Sequence, residues 1–97
     1  MRPEKLHHEA IAEGLKQLDG WVLAGDGNAI SKSYKFKTFR KAFAFMTEIA
    51  LVAEKMNHHP EWFNVYNRVD VTLTTHDAGG GTELDLKLAG AMDKAAA

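Results

Sequence analysis

The sequence predicts an α+β domain with the element order α-β-β-α-β-β-α, in which helices cover one face of a four-stranded antiparallel sheet. Three observations predict it. Two pairs of short segments alternate apolar and polar residues with the period of a strand, each pair joined by a turn. Between the pairs, residues 39–56 place apolar side chains at the period of a helix. The 97 residues, 1–97, contain no linker or repeat and are predicted to form one domain.

The first part of the chain is predicted to form a helix and a hairpin. Pro3 suits the first turn of the helix, and apolar residues continue at helical spacing to Leu18, where an Asp-Gly pair breaks the pattern. Residues 21–24 and 30–37 are predicted as strands, with the turn-rich residues 25–28 between them.

The long central helix is predicted to run from Phe39 to about Met56, with Thr38 as its cap. The residues predicted to face the sheet are Phe39, Ala42, Phe43, Met46, Ile49, Ala50, Ala53 and Met56. Phe45 and Val52 lie beyond one edge of this stripe. Either they are scattered surface residues or they form a contact between subunits. We favour the contact, because a small domain gains from burying surface in an oligomer.

The second part of the chain is predicted to form another hairpin and a last helix. Residues 63–67 and 69–76 alternate at period two, with a turn at residues 67–68. Residues 77–81 are rich in glycine and are predicted to form a flexible loop. Thr82, with an acidic residue three positions later, resembles a capping box that opens the last helix.

Composition excludes several classes of protein. The chain has 12 Lys and Arg against 13 Asp and Glu, so it lacks the basic excess of a protein that binds nucleic acid directly. It has no cysteine, which removes disulfides, thiolate nucleophiles and cysteine metal sites. No apolar run has the length of a membrane span, and no signal-peptide core follows the first residues. A soluble, cytoplasmic protein is the expectation.

Three histidines are the candidate functional residues. His58 and His59 follow the long helix and precede Pro60, and His76 ends the last predicted strand. The residue before a proline favours extended backbone, so the helix is predicted to end near Asn57 and the adjacent imidazoles to point in different directions. Such a pair is poorly placed to chelate one ion, and no metal site is predicted. Imidazoles give and take protons near neutral pH, which predicts acid-base chemistry.

A second pair, His7 and His8, shows that adjacent histidines alone are weak evidence. That pair lies in the polar part of the first predicted helix, and we interpret it as surface residues. The later pair differs in its setting, since Glu54 lies one helical turn before it and the aromatic Trp62 follows the proline. This setting favours a functional site over surface decoration.

The run of residues 53–67, followed by residues 71–76, closely resembles the pterin-4a-carbinolamine dehydratases. The likeness extends to residues 36–39, 42–47 and 84–86, and so covers most of the chain from the first hairpin onward. The resemblance implies a cytoplasmic hydro-lyase without metal or cofactor. Its reaction would convert 4a-hydroxytetrahydropterin to quinonoid dihydropterin and water, in recycling of the tetrahydropterin cofactor of aromatic amino acid hydroxylases.

The resemblance also implies the roles of single residues. By motif position the catalytic histidines are His58, His59 and His76, with the acid and base roles unassigned. The implied supporting and substrate-binding residues are Glu54, Asn57, Pro60, Trp62, Thr74 and Thr75. Here the glutamate orients or charges a histidine, the proline and tryptophan wall the pocket, and the backbone of the two threonines hydrogen-bonds the pterin edge. Asn57 departs from the family pattern, because many members have aspartate there.

The resemblance further implies a homodimer or homotetramer. In the animal members the same fold also serves as dimerisation cofactor of a homeodomain transcription factor, so a transcription factor or a hydroxylase is a candidate partner besides the pterin. Nothing in the sequence shows that second role. The alternative function is therefore a non-catalytic or moonlighting binding module of the same fold, and the three intact histidines favour the enzyme.

Overall fold

The computed structural model describes residues 4–97 except the side chain of His8. Its helices and strands follow the predicted order. The helices are α1 (His8–Leu15), α2 (Phe39–Met56) and α3 (Glu83–Ala96). The strands are β1 (Val22–Ala24), β2 (Ala29–Lys35), β3 (Glu61–Val65) and β4 (Arg68–Leu73). The order α-β-β-α-β-β-α is thereby confirmed. Short 3₁₀ turns at Gly25–Gly27 and His76–Ala78 follow β1 and β4.

The four strands form one antiparallel sheet in the order β1-β2-β4-β3. The central strands pair with Ile30 opposite Leu73, and β3 pairs with β4 so that Glu61 stands opposite Thr72. The beginning of β3 therefore lies beside the end of β4. This register brings the residues that precede β3 close to those that follow β4, which positions the candidate site.

The core lies between one face of the sheet and the helices. Alternate residues of β4, namely Val69, Val71 and Leu73, are buried, as the period of two predicts. The helices contribute Ile11, Ala42, Phe45, Ile49, Ala53, Leu88, Ala89 and Met92 to the buried apolar set. Each large side chain buried in this way stabilises the fold by about 1.5–3 kcal/mol. No helix within residues 4–97 is long and apolar enough to cross a lipid bilayer.

Helix α2 has the predicted bounds, and Thr38 caps it by accepting a hydrogen bond from the backbone N–H of Lys41. The prediction that Phe45 and Val52 lie outside the buried stripe of α2 is wrong. Phe45 lies in the core, 4% exposed, with its ring centroid 4.9 Å from that of Tyr34. Val52 also packs against the core. The large exposed apolar residues of α2 are Phe39, Phe43 and Leu51, and Ala50, predicted to face the sheet, is also exposed. An aromatic cluster with the sheet draws Phe45 inward and turns the other two phenylalanines toward solvent.

Helix α1 is shorter than predicted. It begins at His8 and ends at Leu15, whereas Pro3, the predicted start, lies outside the described residues. The described segment before α1 is not helical, and the backbone N–H of Leu6 there donates to the carbonyl of Gly81 at 2.8 Å. That bond ties the start of the described chain to the loop before α3.

The second hairpin turns one residue earlier than predicted. Its turn lies at residues 66–67, where Tyr66 has a positive φ of 50°. The side-chain amide of Asn64 donates to the carbonyls of Tyr66 and Arg68 and so holds the turn. At its other end β4 stops at Leu73, three residues before the predicted end, so His76 lies in the 3₁₀ turn beyond the strand.

Asp93 ties the first hairpin to the last helix. Its Oδ1 accepts hydrogen bonds from Trp21 Nε1 at 3.0 Å, Lys32 Nζ at 2.8 Å and Tyr34 OH at 2.5 Å. Desolvation by burial raises the pKa of Asp93, but these hydrogen bonds and the charge of Lys32 outweigh it and hold the pKa below its usual range. Burial, together with Asp93, raises the pKa of Tyr34, whose hydroxyl therefore stays protonated as a donor.

Replacing Asp93 by asparagine is expected to lower the free energy of unfolding by about 1.5–3 kcal/mol near neutral pH, because the charged acceptor is lost. A carboxyl whose folded pKa is depressed stabilises the fold above its unfolded pKa of about 3.9, and this contribution is lost as the pH falls through the folded pKa. Urea denaturation of wild type and variant between pH 7 and acid checks this. The difference in the free energy of unfolding between wild type and variant should narrow in acid. A difference that stays constant with pH would show that the charge of Asp93 does not contribute to stability.

Candidate active site

The end of α2 directs the two adjacent histidines. Asn57 has left-handed backbone angles, φ 53° and ψ 44°, which asparagine tolerates better than most residues. Its N–H donates to the carbonyl of Glu54 at 3.1 Å, and the N–H of His58 donates to that of Ala53 at 3.0 Å. These two bonds form a Schellman motif that ends the helix where predicted. Asn57 thus serves the site through its backbone, which turns His58 and His59 away from the helix.

His58 belongs to a buried network. Its side chain is 2% exposed, and its Nε2 lies 2.6 Å from Oδ1 of the equally buried Asp85. The other carboxylate oxygen of Asp85 accepts from Thr75 Oγ1 and from the backbone N–H of Thr82, each at 2.9 Å. The bond from the Thr82 N–H is one half of the predicted capping box of α3, which is confirmed. The network therefore connects the end of α2, the segment after β4 and the start of α3.

His59 and His76 lie at the surface, each beside a glutamate. His59 Nε2 is 2.9 Å from Glu54 Oε1, and His76 Nε2 is 2.9 Å from Glu61 Oε2. The two imidazole side chains are 57% and 80% exposed. An ionised carboxylate only accepts hydrogen bonds, so Nε2 donates in both pairs. Within residues 4–97 neither Nδ1 has a protein partner, and each is available to exchange a proton with a ligand.

Two links bring the three histidines together. Glu61, two residues after His59, holds His76. His58 reaches, through the buried carboxylate, the threonine that directly precedes His76. All three therefore gather at the end of the sheet where β3 begins and β4 ends. Nowhere in the described chain do three or more histidine and acidic side chains form a group that could hold a metal ion.

The residues predicted to line the pocket have different surroundings. Pro60, which lies in sequence between the histidine pair and β3, is half-buried. Trp62 is also half-buried and packs against the core. Both side chains are therefore partly exposed to solvent. The hydroxyl of Thr74 donates to the backbone carbonyl of Asn28 at 2.8 Å, which anchors the segment after β4 to the first hairpin.

The backbone of Thr75 is already fully used. Its N–H donates to the carbonyl of Gly80 at 3.1 Å, and its carbonyl accepts from the N–H of Gly80 at 3.2 Å. These bonds hold the Thr75 backbone in place, and its contact with the pterin edge stays a prediction. Gly80 and Gly81, in the loop predicted to be flexible, are buried. A Cβ at Gly81 would meet Cδ1 of Ile11 at 2.7 Å, so a side chain there would require Ile11 to shift.

Asp85 and Glu61 contact the candidate histidines but are not predicted from the sequence as site residues. In sequence, the role of Asp85 as a helix cap already accounts for its presence. Its contact with His58 joins residues 27 positions apart in the chain. Glu61 had a weak signal, since it is an acidic residue within the run that carries both adjacent histidines. Its contact with His76 depends on the pairing of β3 with β4, which spacing alone does not specify.

The chain matches known proteins over nearly its whole length. The family model described as Pterin 4 alpha carbinolamine dehydratase matches residues 4–95. A protein of Sinorhizobium fredii (strain NBRC 101917 / NGR234), provisionally named pterin-4-alpha-carbinolamine dehydratase, is 68% identical over 97 residues. The match covers 100% of this chain and 92% of that protein.

Solved structures show the same fold. The crystal structure of a transcriptional coactivator/pterin dehydratase from Brucella melitensis has a TM-score of 0.94 and 52% identity, and the match covers 97% of this chain and 100% of that one. A pterin dehydratase-like protein, identified as a RuBisCO assembly factor in the alpha-carboxysome, has a TM-score of 0.69 and 22% identity over 93% of this chain and 94% of that one. At that identity the second likeness shows the fold alone.

Proposed function

Because the chain belongs to the pterin 4 alpha carbinolamine dehydratase family of hydro-lyases, we propose that it removes water from a 4a-hydroxytetrahydropterin to give the quinonoid dihydropterin. One observation supports this most strongly. His59 and His76 are exposed at the same end of the sheet, and each is held at Nε2 by its own glutamate. Two oriented imidazoles are the groups that an acid-base elimination requires.

The reaction needs one acid and one base. The substrate carries a hydroxyl on the carbon next to a ring nitrogen, so elimination protonates the departing oxygen and removes the N–H proton. With Nε2 held by a carboxylate, Nδ1 of one protonated ring delivers a proton as the C–O bond breaks, and Nδ1 of the other ring accepts the N–H proton. Exchange with solvent restores both rings. The acid and base roles are assigned to His59 and His76 jointly, because each ring is paired with a glutamate through Nε2.

His58 contributes in another way, since its ring is buried. The sequence groups it with His59 and His76 as a catalytic residue. With its Nε2 held by Asp85, it instead fixes the backbone between α2 and β3 and thereby the position of His59. We therefore assign His58 a positioning role and leave the proton transfers to the two exposed histidines.

We place this reaction in the recycling of the tetrahydropterin used by aromatic amino acid hydroxylases, with support from the resemblance described above. A non-catalytic or moonlighting binding role is the alternative. The related Brucella melitensis protein is described as both coactivator and pterin dehydratase, so a protein partner is compatible with this fold. The two exposed His–Glu pairs favour catalysis, because a surface that only binds a protein does not require them.

The purified protein is expected to accelerate dehydration of a 4a-hydroxytetrahydropterin, followed by the absorbance of the quinonoid product. The rate should be the same with and without a metal chelator, since the proton transfers use imidazoles alone. An inactive protein would favour the binding module. Loss of activity in chelator would show that a metal ion takes part.

We propose in addition that the chain self-associates through the outer face of α2. Phe39 and Phe43 are 48% and 55% exposed, their ring centroids lie 5.8 Å apart, and Leu51 on the same helix is also exposed. Large apolar side chains grouped on one surface favour a contact with another protein surface. A second copy of the chain would bury both aromatic rings, at about 1.5–3 kcal/mol for each.

A double variant, Phe39→Glu with Phe43→Glu, is expected to have a lower molar mass than wild type in sizing chromatography with light scattering. Its far-UV circular dichroism should be unchanged, because neither ring belongs to the core. Phe63→Glu is the matched control, since Phe63 is an equally exposed aromatic residue on β3. If Phe63→Glu alone lowers the mass, the subunits associate through the sheet.

A further inference from the structure

Glu61 holds His76 from a neighbouring strand. It is the first residue of β3, where its backbone pairs with Thr72 of β4. From this fixed position its Oε2 lies 2.9 Å from His76 Nε2. His76 itself lies beyond the sheet, in a 3₁₀ turn, with most of its ring in solvent. Without a partner, an exposed ring on a turn would sample several rotamers and both neutral tautomers.

Resting on the function proposed above, we propose that Glu61 is the positioning residue of His76. Because its carboxylate only accepts, the contact selects the tautomer with the proton on Nε2 and leaves Nδ1 as the atom that exchanges a proton with substrate. The contact also fixes the direction in which Nδ1 points. A surface ion pair of this exposure adds little to stability. The role of Glu61 is therefore to orient His76. Carboxylates have the same role where they bind the second ring nitrogen of a catalytic or metal-bound histidine.

The other exposed histidine offers an internal comparison. Glu54 holds His59 through the same ring nitrogen and at the same distance of 2.9 Å, but from the last turns of α2. Each imidazole thus has its own carboxylate, on a different element. Removing Glu61 should consequently alter His76 and leave His59 unchanged, and removing Glu54 should do the reverse.

Imidazole nitrogen signals test the proposal without an activity assay. In protein labelled with ¹⁵N-histidine, at a pH where the rings are neutral, long-range ¹H–¹⁵N correlation distinguishes the two tautomers. His76 is expected to carry its proton on Nε2 in wild type and in Glu61→Gln, whose amide oxygen still accepts. In Glu61→Ala the other tautomer should become populated, whereas Glu54→Ala should leave His76 unchanged. A His76 ring protonated on Nδ1 in wild type, or unaffected by Glu61→Ala, would overturn the proposal.

Kinetics then test whether the orientation matters for the reaction. Glu61→Ala is expected to lower kcat/KM about tenfold, by analogy with the lower end of the loss when the outer partner of a metal-bound histidine is removed. Glu61→Gln should recover part of this loss. Glu83→Ala, an exposed glutamate in the first turn of α3, is the control and should match wild type.

A double-mutant cycle identifies the residue through which Glu61 acts. In a His76→Ala background, Glu61→Ala is expected to have no further effect on kcat/KM. Two losses that simply multiply would overturn the proposal, because Glu61 would then act independently of His76. An inactive wild-type protein would refute the proposed function instead, and the tautomer of His76 would still decide the role of Glu61.

Discussion

Replacing Asp85 by alanine is expected to lower the free energy of unfolding by at least about 3 kcal/mol, because each buried donor left without its acceptor costs about 1–3 kcal/mol. The carboxylate is buried and accepts from His58, Thr75 and the backbone N–H of Thr82. Its removal leaves three buried donors without their acceptor and deletes one half of the capping box of α3. The same variant should also lose activity, because His58 and Thr75 directly precede His59 and His76.

The matched control is Glu83→Ala, in the same helical turn but exposed to solvent. Surface substitutions of this kind usually change stability by within about 0.5 kcal/mol. Urea denaturation of the two variants at neutral pH gives the comparison. If Asp85→Ala lowered the free energy of unfolding no more than Glu83→Ala, the buried network would not stabilise the segments that carry the site.

Replacing His59 or His76 by alanine is expected to lower kcat/KM at least tenfold, because general acid-base catalysis contributes about 10²- to 10⁴-fold. Both rings are exposed, so the fold should be unaffected. His7→Ala is the control, since His7 is an exposed histidine at the start of α1 and its side chain caps no backbone group. Steady-state kinetics of the three variants checks this. Equal losses in all three would show that the site lies elsewhere.

The fold could largely be predicted because its signals are local. The cap at Thr38, the break at Asn57 and the alternation along β4 lie within short stretches of sequence, and each is seen in the structure. The face of α2 could not be predicted in the same way. Phe43 and Phe45 are both apolar, and the one that enters the core is chosen by contact with Tyr34, a residue of another element.

The candidate site shows the same division. All three histidines are visible in sequence, His58 and His59 in one run and His76 at the end of a predicted strand. The burial of His58 is not visible, because it depends on a carboxylate 27 residues away. The partner of His76 lies 15 residues away and is brought there by strand pairing. Residue types and motifs thus indicate the chemistry, while the tertiary structure separates the positioned rings from the residues that position them.

The most direct test of the proposed chemistry is kcat/KM of the His59→Ala, His76→Ala double variant for 4a-hydroxytetrahydropterin, measured in chelator beside wild type. We expect wild type to accelerate the dehydration. The double variant should keep the circular dichroism spectrum of wild type and lose at least about 10²-fold in kcat/KM, because both proton-transfer groups are gone. A folded double variant with the kcat/KM of wild type would contradict the assignment of catalysis to these two imidazoles.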